Sequence, residues 1–187
     1  MAEVVLFHHA LGLTPGVAAF AQGWRDEGHV VHVPDLYEGR TFSDLDEAVE
    51  FVDARGIAHW ITTATAAAAE HPAATAFAGF SLGSACAQYV AQTTPKARAA
   101  LLFHGALSLA TIELTWPDGL RLQVHAAEAD PWVEIDEVQS LIESVDGAEL
   151  YLYPGSGHLF ADPSSGDYDE SSARLLSQRA LTLLGSI

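Results

Sequence analysis

Residues 78–84, Ala-Gly-Phe-Ser-Leu-Gly-Ser, set one serine in Gly-x-Ser-x-Gly spacing. The residues before it, 74–78, are short, small and apolar, as a strand buried on both faces would be. Residues 82–93 carry Ala, Tyr, Val and Gln at helical spacing and stop at Thr94-Pro95. A serine at the apex of such a strand-to-helix turn has the form of a nucleophile elbow. The turn is strained, so the residues two before and two after it must be nearly free of side-chain atoms, and Gly79 and Gly83 meet that demand. A serine hydroxyl attacks poorly unless a base takes its proton as it does so. His158, after Pro154-Gly155-Ser156-Gly157, is the candidate base. Asp130 is the candidate partner that would fix the imidazole tautomer and stabilise the imidazolium.

The elements that must hold these groups alternate strand and helix. Residues 4–7 read as an apolar strand ending in His8-His9, with a loop over 10–13. Thr14-Pro15 opens a helix with an N-cap and a first-turn proline, and it runs through Val17, Phe20, Ala21 and Trp24 to Gly28. A second strand covers 30–33. Ser43, with Asp46 three residues on, is expected to cap the next helix, and 57–71 is an alanine-rich helix ended by Pro72. Further strands are expected at 99–103, 120–126 and 149–153, with helices at 133–145 and 171–184 and a loop over 106–119. This alternation implies an α/β fold: a doubly wound, mostly parallel sheet of about six strands with helices on both faces. Ligands bind beyond the carboxyl ends of such strands. Ser81 follows the third strand, Asp130 the fifth and His158 the sixth.

Serine, aspartate and histidine in that chain order, each at a strand's carboxyl end, match the order in α/β-hydrolases. The oxyanion formed on attack needs preorganised N–H donors. The backbone N–H of Leu82 opens the elbow helix and is one; the second is expected from the first-strand loop, near Ala10 or Leu11.

The chain resembles the dienelactone hydrolase family of α/β-hydrolases over nearly its whole length. The residues carrying the resemblance are Pro34-Asp35-Leu36-Tyr37, the elbow, Asp130, Gly157-His158-x-Phe160, Ser164-Ser165-Gly166 and Tyr168. It implies that the second oxyanion donor is the N–H of Ala10. Three positions depart from the family's best-known members. Ser81 stands where they use cysteine, and His9 stands where a glutamate restrains the thiol. Asp162 stands where an arginine grips the carboxylate of dienelactone. The resemblance therefore implies a serine esterase with some substrate other than dienelactone.

Composition narrows the reading further. The 187 residues suit one domain spanning 1–187, and no apolar run reaches the ~18 residues of a membrane span. There are 25 acidic residues against 8 basic ones, a formal net charge of −17, which disfavours nucleic acid and anionic membranes as partners. The start of the chain lacks signal-peptide character, which points to the cytoplasm. Cys86, the only cysteine, reads as a packing residue inside the elbow helix. His104 and His125 read as core histidines, with a place at the pocket's border as the alternative for His104, and Trp24 and Trp60 as core tryptophans. The nine histidines show no metal-ligand spacing beside a carboxylate, so neither metal nor cofactor is expected. His9, Leu11, Trp116, Trp132, Phe160 and Asp162 are the candidates for lining a pocket. The expected partner is a small ester-type molecule, and the expected state a monomer or weak homodimer. The expected activity is hydrolysis of a small uncharged ester, lactone or thioester through an acyl-enzyme on Ser81. An acyltransferase or perhydrolase using the same triad, or a non-catalytic ligand-binding protein, is the alternative.

Overall fold

The computed structural model describes residues 1–187. Its elements in order are β1 (Glu3–Phe7), α1 (Pro15–Asp26), β2 (Val30–His32), α2 (Leu45–Asp53), α3 (Ile57–Ala69), β3 (Ala76–Phe80) and α4 (Leu82–Thr93). There follow β4 (Ala99–Phe103), α5 (Leu109–Ile112), β5 (Arg121–Ala127), α6 (Ile135–Ser144), β6 (Glu149–Tyr153) and α7 (Glu170–Leu184). The six strands form one sheet in the order β2-β1-β3-β4-β5-β6, every pair parallel. This is the doubly wound α/β architecture that the alternation implies.

Strands β3 and β4 are buried along their whole length, which is why they read as unbroken apolar runs rather than alternating ones. Alternation survives as a choice between two apolar faces. Leu6, Phe80, Leu101 and Phe103 face Trp24 of α1 and Leu176 and Leu183 of α7. Phe7, Phe77, Leu102 and Val124 face Trp60 of α3, Val90 of α4 and Leu141 of α6. No helix is long and apolar enough to cross a membrane.

Several boundaries differ from expectation. Helix α2 is capped by Asp44 rather than Ser43: its carboxylate accepts from Glu47 N at 2.9 Å, and Asp46 and Glu47 add favourable charge to the first turn. Helix α6 starts at Ile135 rather than Val133, because residues 130–133 are held in a turn by Val133 N donating to Asp130 O. The loop over 106–119 contains the short α5, capped by Ser108. Strand β3 runs on to Phe80, since its ladder with β4 pairs Phe80 with Phe103. Ser81 is therefore the first residue past a paired strand end.

Three histidines are fully enclosed at or near these strand ends. Burial pushes His8 down to about 4 and His125 down to about 3, and it holds His104 well below the ordinary histidine value. Each stays neutral in the fold but takes a proton in the unfolded chain below about pH 6.5. The unfolded state then binds more protons, so stability is full above that pH and falls as the pH drops toward 4. Each histidine contributes a slope of roughly 1 kcal/mol per pH unit. Urea unfolding should show the midpoint falling steadily between about pH 7 and about pH 5, a window in which most carboxylates keep their charge. A flat midpoint there would contradict the burial of these rings.

Candidate active site

The elbow depends on a backbone that few residues adopt. Ser81 has φ 52° and ψ −113°, outside the regions open to ordinary L residues. It is held there from both sides. Its N–H donates to Phe103 O at 2.8 Å, continuing the ladder with β4, and its carbonyl accepts from Ser84 N and Ser84 Oγ at 2.8 and 2.7 Å. A β-carbon on Gly79 would overlap the Gly83 carbonyl, and one on Gly83 would strike the carbonyls of Phe7 and His8. The two glycines thus let α4 close down on β3 and on the end of β1.

Loops after β3, β5 and β6 bring Ser81, Asp130 and His158 together across 77 and 28 residues of chain. Ser81 Oγ lies 2.8 Å from His158 Nε2, and His158 Nδ1 lies 2.8 Å from Asp130 Oδ2. An ionised carboxylate can only accept, so Nδ1 carries the proton and Nε2 presents its lone pair to the serine hydroxyl. Asp130 is kept in place by Trp132 N, which donates to its other oxygen at 2.9 Å. Both Asp130 and His158 are buried. A hydroxyl so bonded can lose its proton to the imidazole as it attacks an electrophilic carbon.

The backbone donors expected to receive an oxyanion are those of Leu82 and Ala10. The N–H of Leu82 is the first of α4, where a helix leaves its amides without partners. The N–H of Ala10 has no backbone acceptor, whereas its neighbours are tied: Gly12 N donates to His9 O at 3.0 Å and Leu11 N to His9 Nδ1 at 3.3 Å.

Beside Ser81 opens a cleft of about 360 Å³. Its wall includes His158, Trp132, Val133, Ala106, Leu107 and the carboxylate residues Glu134 and Glu137, and no lysine or arginine. Of the expected pocket residues only Trp132 lies in this wall, 45% exposed with its ring 6.1 Å from that of His158. The others lie elsewhere. Trp116 packs under β5, its indole N–H donating to Leu120 O at 2.7 Å, in a separate cavity. Leu11 lines another cavity beside Phe42 and Ser164. Phe160 is buried edge-on against His104, with ring centres 4.6 Å apart. His9 and Asp162 are both buried and bonded to each other, Nε2 to Oδ2 at 2.7 Å, so neither offers its polar group to the cleft.

The wall residues missed from sequence come from the first turn of α4, the segment after β4, the residues leading into α6 and its first turn. His104 borders the cleft at φ 64°, with its ring stacked on Phe80 and neither nitrogen bonded. Glu137 was hidden for another reason. It accepts Ser108 N at 2.8 Å across 29 residues, and no local pattern signals such a tie. Cys86 packs under the sheet on the α3 side, with its thiol pushed up by burial to about 12, so it is inert as a nucleophile.

Comparison with known proteins agrees with this architecture. No curated protein matches the chain. A dienelactone hydrolase-like promiscuous phosphotriesterase from metagenomic libraries superposes with a TM-score of 0.80 at 20% identity, covering 100% of this chain and 86% of that one. A thermophilic esterase of the Planctomycetes species Thermogutta terrifontis, with propionate bound, gives 0.68 at 16%, covering 99% and 83%. The dienelactone hydrolase of Anabaena variabilis gives 0.67 at 16%, covering 99% and 86%. These likenesses concern the fold. The family assignment rests on the sequence, which matches the dienelactone hydrolase family model over residues 1–187, and the chain belongs to that family of hydrolases.

Proposed function

We propose that this protein is a serine hydrolase that cleaves a small uncharged carboxylic ester, lactone or thioester. The observation that carries the reading is the unbroken hydrogen-bonded series Ser81–His158–Asp130 at a strained elbow beside an unobstructed cleft. In the first step Ser81 Oγ attacks the acyl carbon while its proton passes to His158 Nε2. Asp130 stabilises the imidazolium through Nδ1–H, and the N–H groups of Ala10 and Leu82 receive the oxyanion. Collapse breaks the bond to the alcohol or thiol, which leaves with the proton from Nε2. Water then repeats the sequence on the acyl-enzyme, losing its proton to His158 and releasing the acid and Ser81. No cofactor enters these steps. The Thermogutta esterase, whose fold this chain shares, is known with propionate bound, which fits a short acyl group in a cleft of this size.

The same esterase is phosphonylated by sarin and by cyclosarin. A fluorophosphonate should therefore label Ser81 here and abolish ester turnover, while thiol reagents leave activity intact because Cys86 is buried. Asp130→Asn should fold normally and lose on the order of 10³–10⁴ in kcat, since His158 loses the partner that fixes its tautomer. Mass spectrometry of the labelled protein and steady-state kinetics decide the matter. A label on another residue, or near-normal turnover by Asp130→Asn, sinks the assignment.

Charge in the cleft sets the second expectation. An anionic substrate group about 8 Å from Glu134 or Glu137 meets roughly 1–2 kcal/mol of repulsion at an effective dielectric near 20, screening included. With no cation in the wall to offset this, a neutral ester should exceed its carboxylate-bearing match in kcat/KM by roughly five- to thirtyfold. Added salt and Glu134→Gln should each narrow the gap. A wild-type preference for the anionic ester would show that the wall carries a cation and that the substrate class is wrong.

A further inference from the structure

A second histidine–aspartate pair joins the loop after β1 to the loop that carries His158. His9 and Asp162 are enclosed, with 0% and 1% of their side chains exposed. The Asp162 carboxylate accepts four bonds. Oδ2 takes His9 Nε2–H and Thr14 Oγ–H, both at 2.7 Å, and Oδ1 takes Ser164 N–H and Ser164 Oγ–H, both at 2.7 Å. Thr14 is the N-cap of α1, and Gly16 in its first turn is bare of a side chain that would overlap Asp162. One carboxylate therefore fastens the loop after β1 and the start of α1 to the loop that carries His158. Burial alone would raise its pKa, but the bonds from His9, Ser164 and Thr14 prevail and hold it well below the usual carboxylate range. The charge, and the lock, survive mild acid.

The pair also fixes a tautomer. Asp162 can only accept, so His9 carries its proton on Nε2 and leaves the Nδ1 lone pair free. That lone pair receives the N–H of Leu11 at 3.3 Å. Between these two tied residues stands Ala10, whose N–H donates to no acceptor within the protein. We infer that His9 and Asp162 are positioning residues for the oxyanion hole: Asp162 sets the tautomer of His9, and His9 holds the 9–11 backbone so that the Ala10 N–H is aimed at the developing oxyanion. This rests on Ser81 being the nucleophile.

The test compares an ester with its thionoester, identical except that C=S replaces C=O, because a developing sulfur anion accepts N–H bonds poorly. Misaiming a donor should therefore slow the ester far more than the thionoester. His9→Gln keeps an N–H for Asp162, so the buried carboxylate stays partnered, but it supplies no acceptor at the Nδ1 position. Its kcat for the ester should fall on the order of ten- to hundredfold with KM little changed, since losing a whole donor costs about 10²–10³. Its thionoester kcat should fall less than about threefold, so the ester/thionoester ratio collapses. Asp162→Asn should collapse the same ratio by letting His9 take the other tautomer. A folded His9→Gln that keeps the wild-type ratio, whether or not both rates drop together, overturns the inference. Ser81→Ala run beside these separates the two readings: if it still turns over the ester, the nucleophile assignment fails and not merely the role of His9.

Discussion

The carboxyl edge of the sheet depends on how closely one helix can approach two strands. Helix α4 enters directly from Ser81, and its first turn lies against Gly79 of β3 and against the carbonyls of Phe7 and His8 at the end of β1. Any side chain at Gly83 would push α4 away by the width of a methyl group, and packed interiors do not absorb that without shifting backbone. The same approach sets the turn at Ser81 against the end of β1. The elbow and the loop after β1 are therefore not separately placed. Two glycines bring them together, and β4 locks the result through the Ser81 N to Phe103 O bond.

A strongly acidic chain has built its functional edge around neutral imidazoles. His8 donates from Nδ1 to the His9 carbonyl and accepts Leu36 N–H at Nε2, which ties β1 to the loop after β2. His125 bridges Tyr153 and Gln123 between β5 and β6. A neutral imidazole gives one donor and one acceptor in fixed directions without the cost of burying a charge, so it can join two loops in a dry interior. None of the arginines lines the cleft: Arg55 lies over Phe51, and Arg179 over Tyr151. That division leaves the cleft with carboxylates and no cation.

What could be read from the sequence and what could not follow from the range of the interactions. Ser81, Asp130 and His158 were legible because each sits at the carboxyl end of a strand that announces itself by composition, and the sheet then fixes where those ends meet. Gly79 and Gly83 were legible because the elbow's strain is local. The pairing of His9 with Asp162 spans 153 residues, and nothing near either one signals it. Asp162, read alone, is a loop carboxylate that could face substrate; only the packing of α1 against the His158 loop turns it inward. Trp116 failed similarly. A tryptophan in a strand-end loop looks available to a ligand, but its indole N–H is taken by Leu120 O. The start of α2 was off by one residue because adjacent polar residues compete to cap it, Ser43 and Asp44.

The two histidine–aspartate pairs use one piece of chemistry in opposite senses. In both, a buried carboxylate that can only accept dictates which ring nitrogen carries the proton. Asp130 accepts the Nδ1–H bond, so His158 turns the Nε2 lone pair toward a hydroxyl, that of Ser81, whose proton is free to move to it. Asp162 accepts the Nε2–H bond, so His9 turns the Nδ1 lone pair toward an amide whose proton stays in place. The first arrangement needs a ring that can gain charge, and Asp130 has room for this with one further bond, from Trp132 N. The second needs a ring that stays put, and Asp162 is saturated by four bonds that leave it no freedom. Counting the donors around each carboxylate thus separates a pair suited to moving a proton from one suited to holding a backbone.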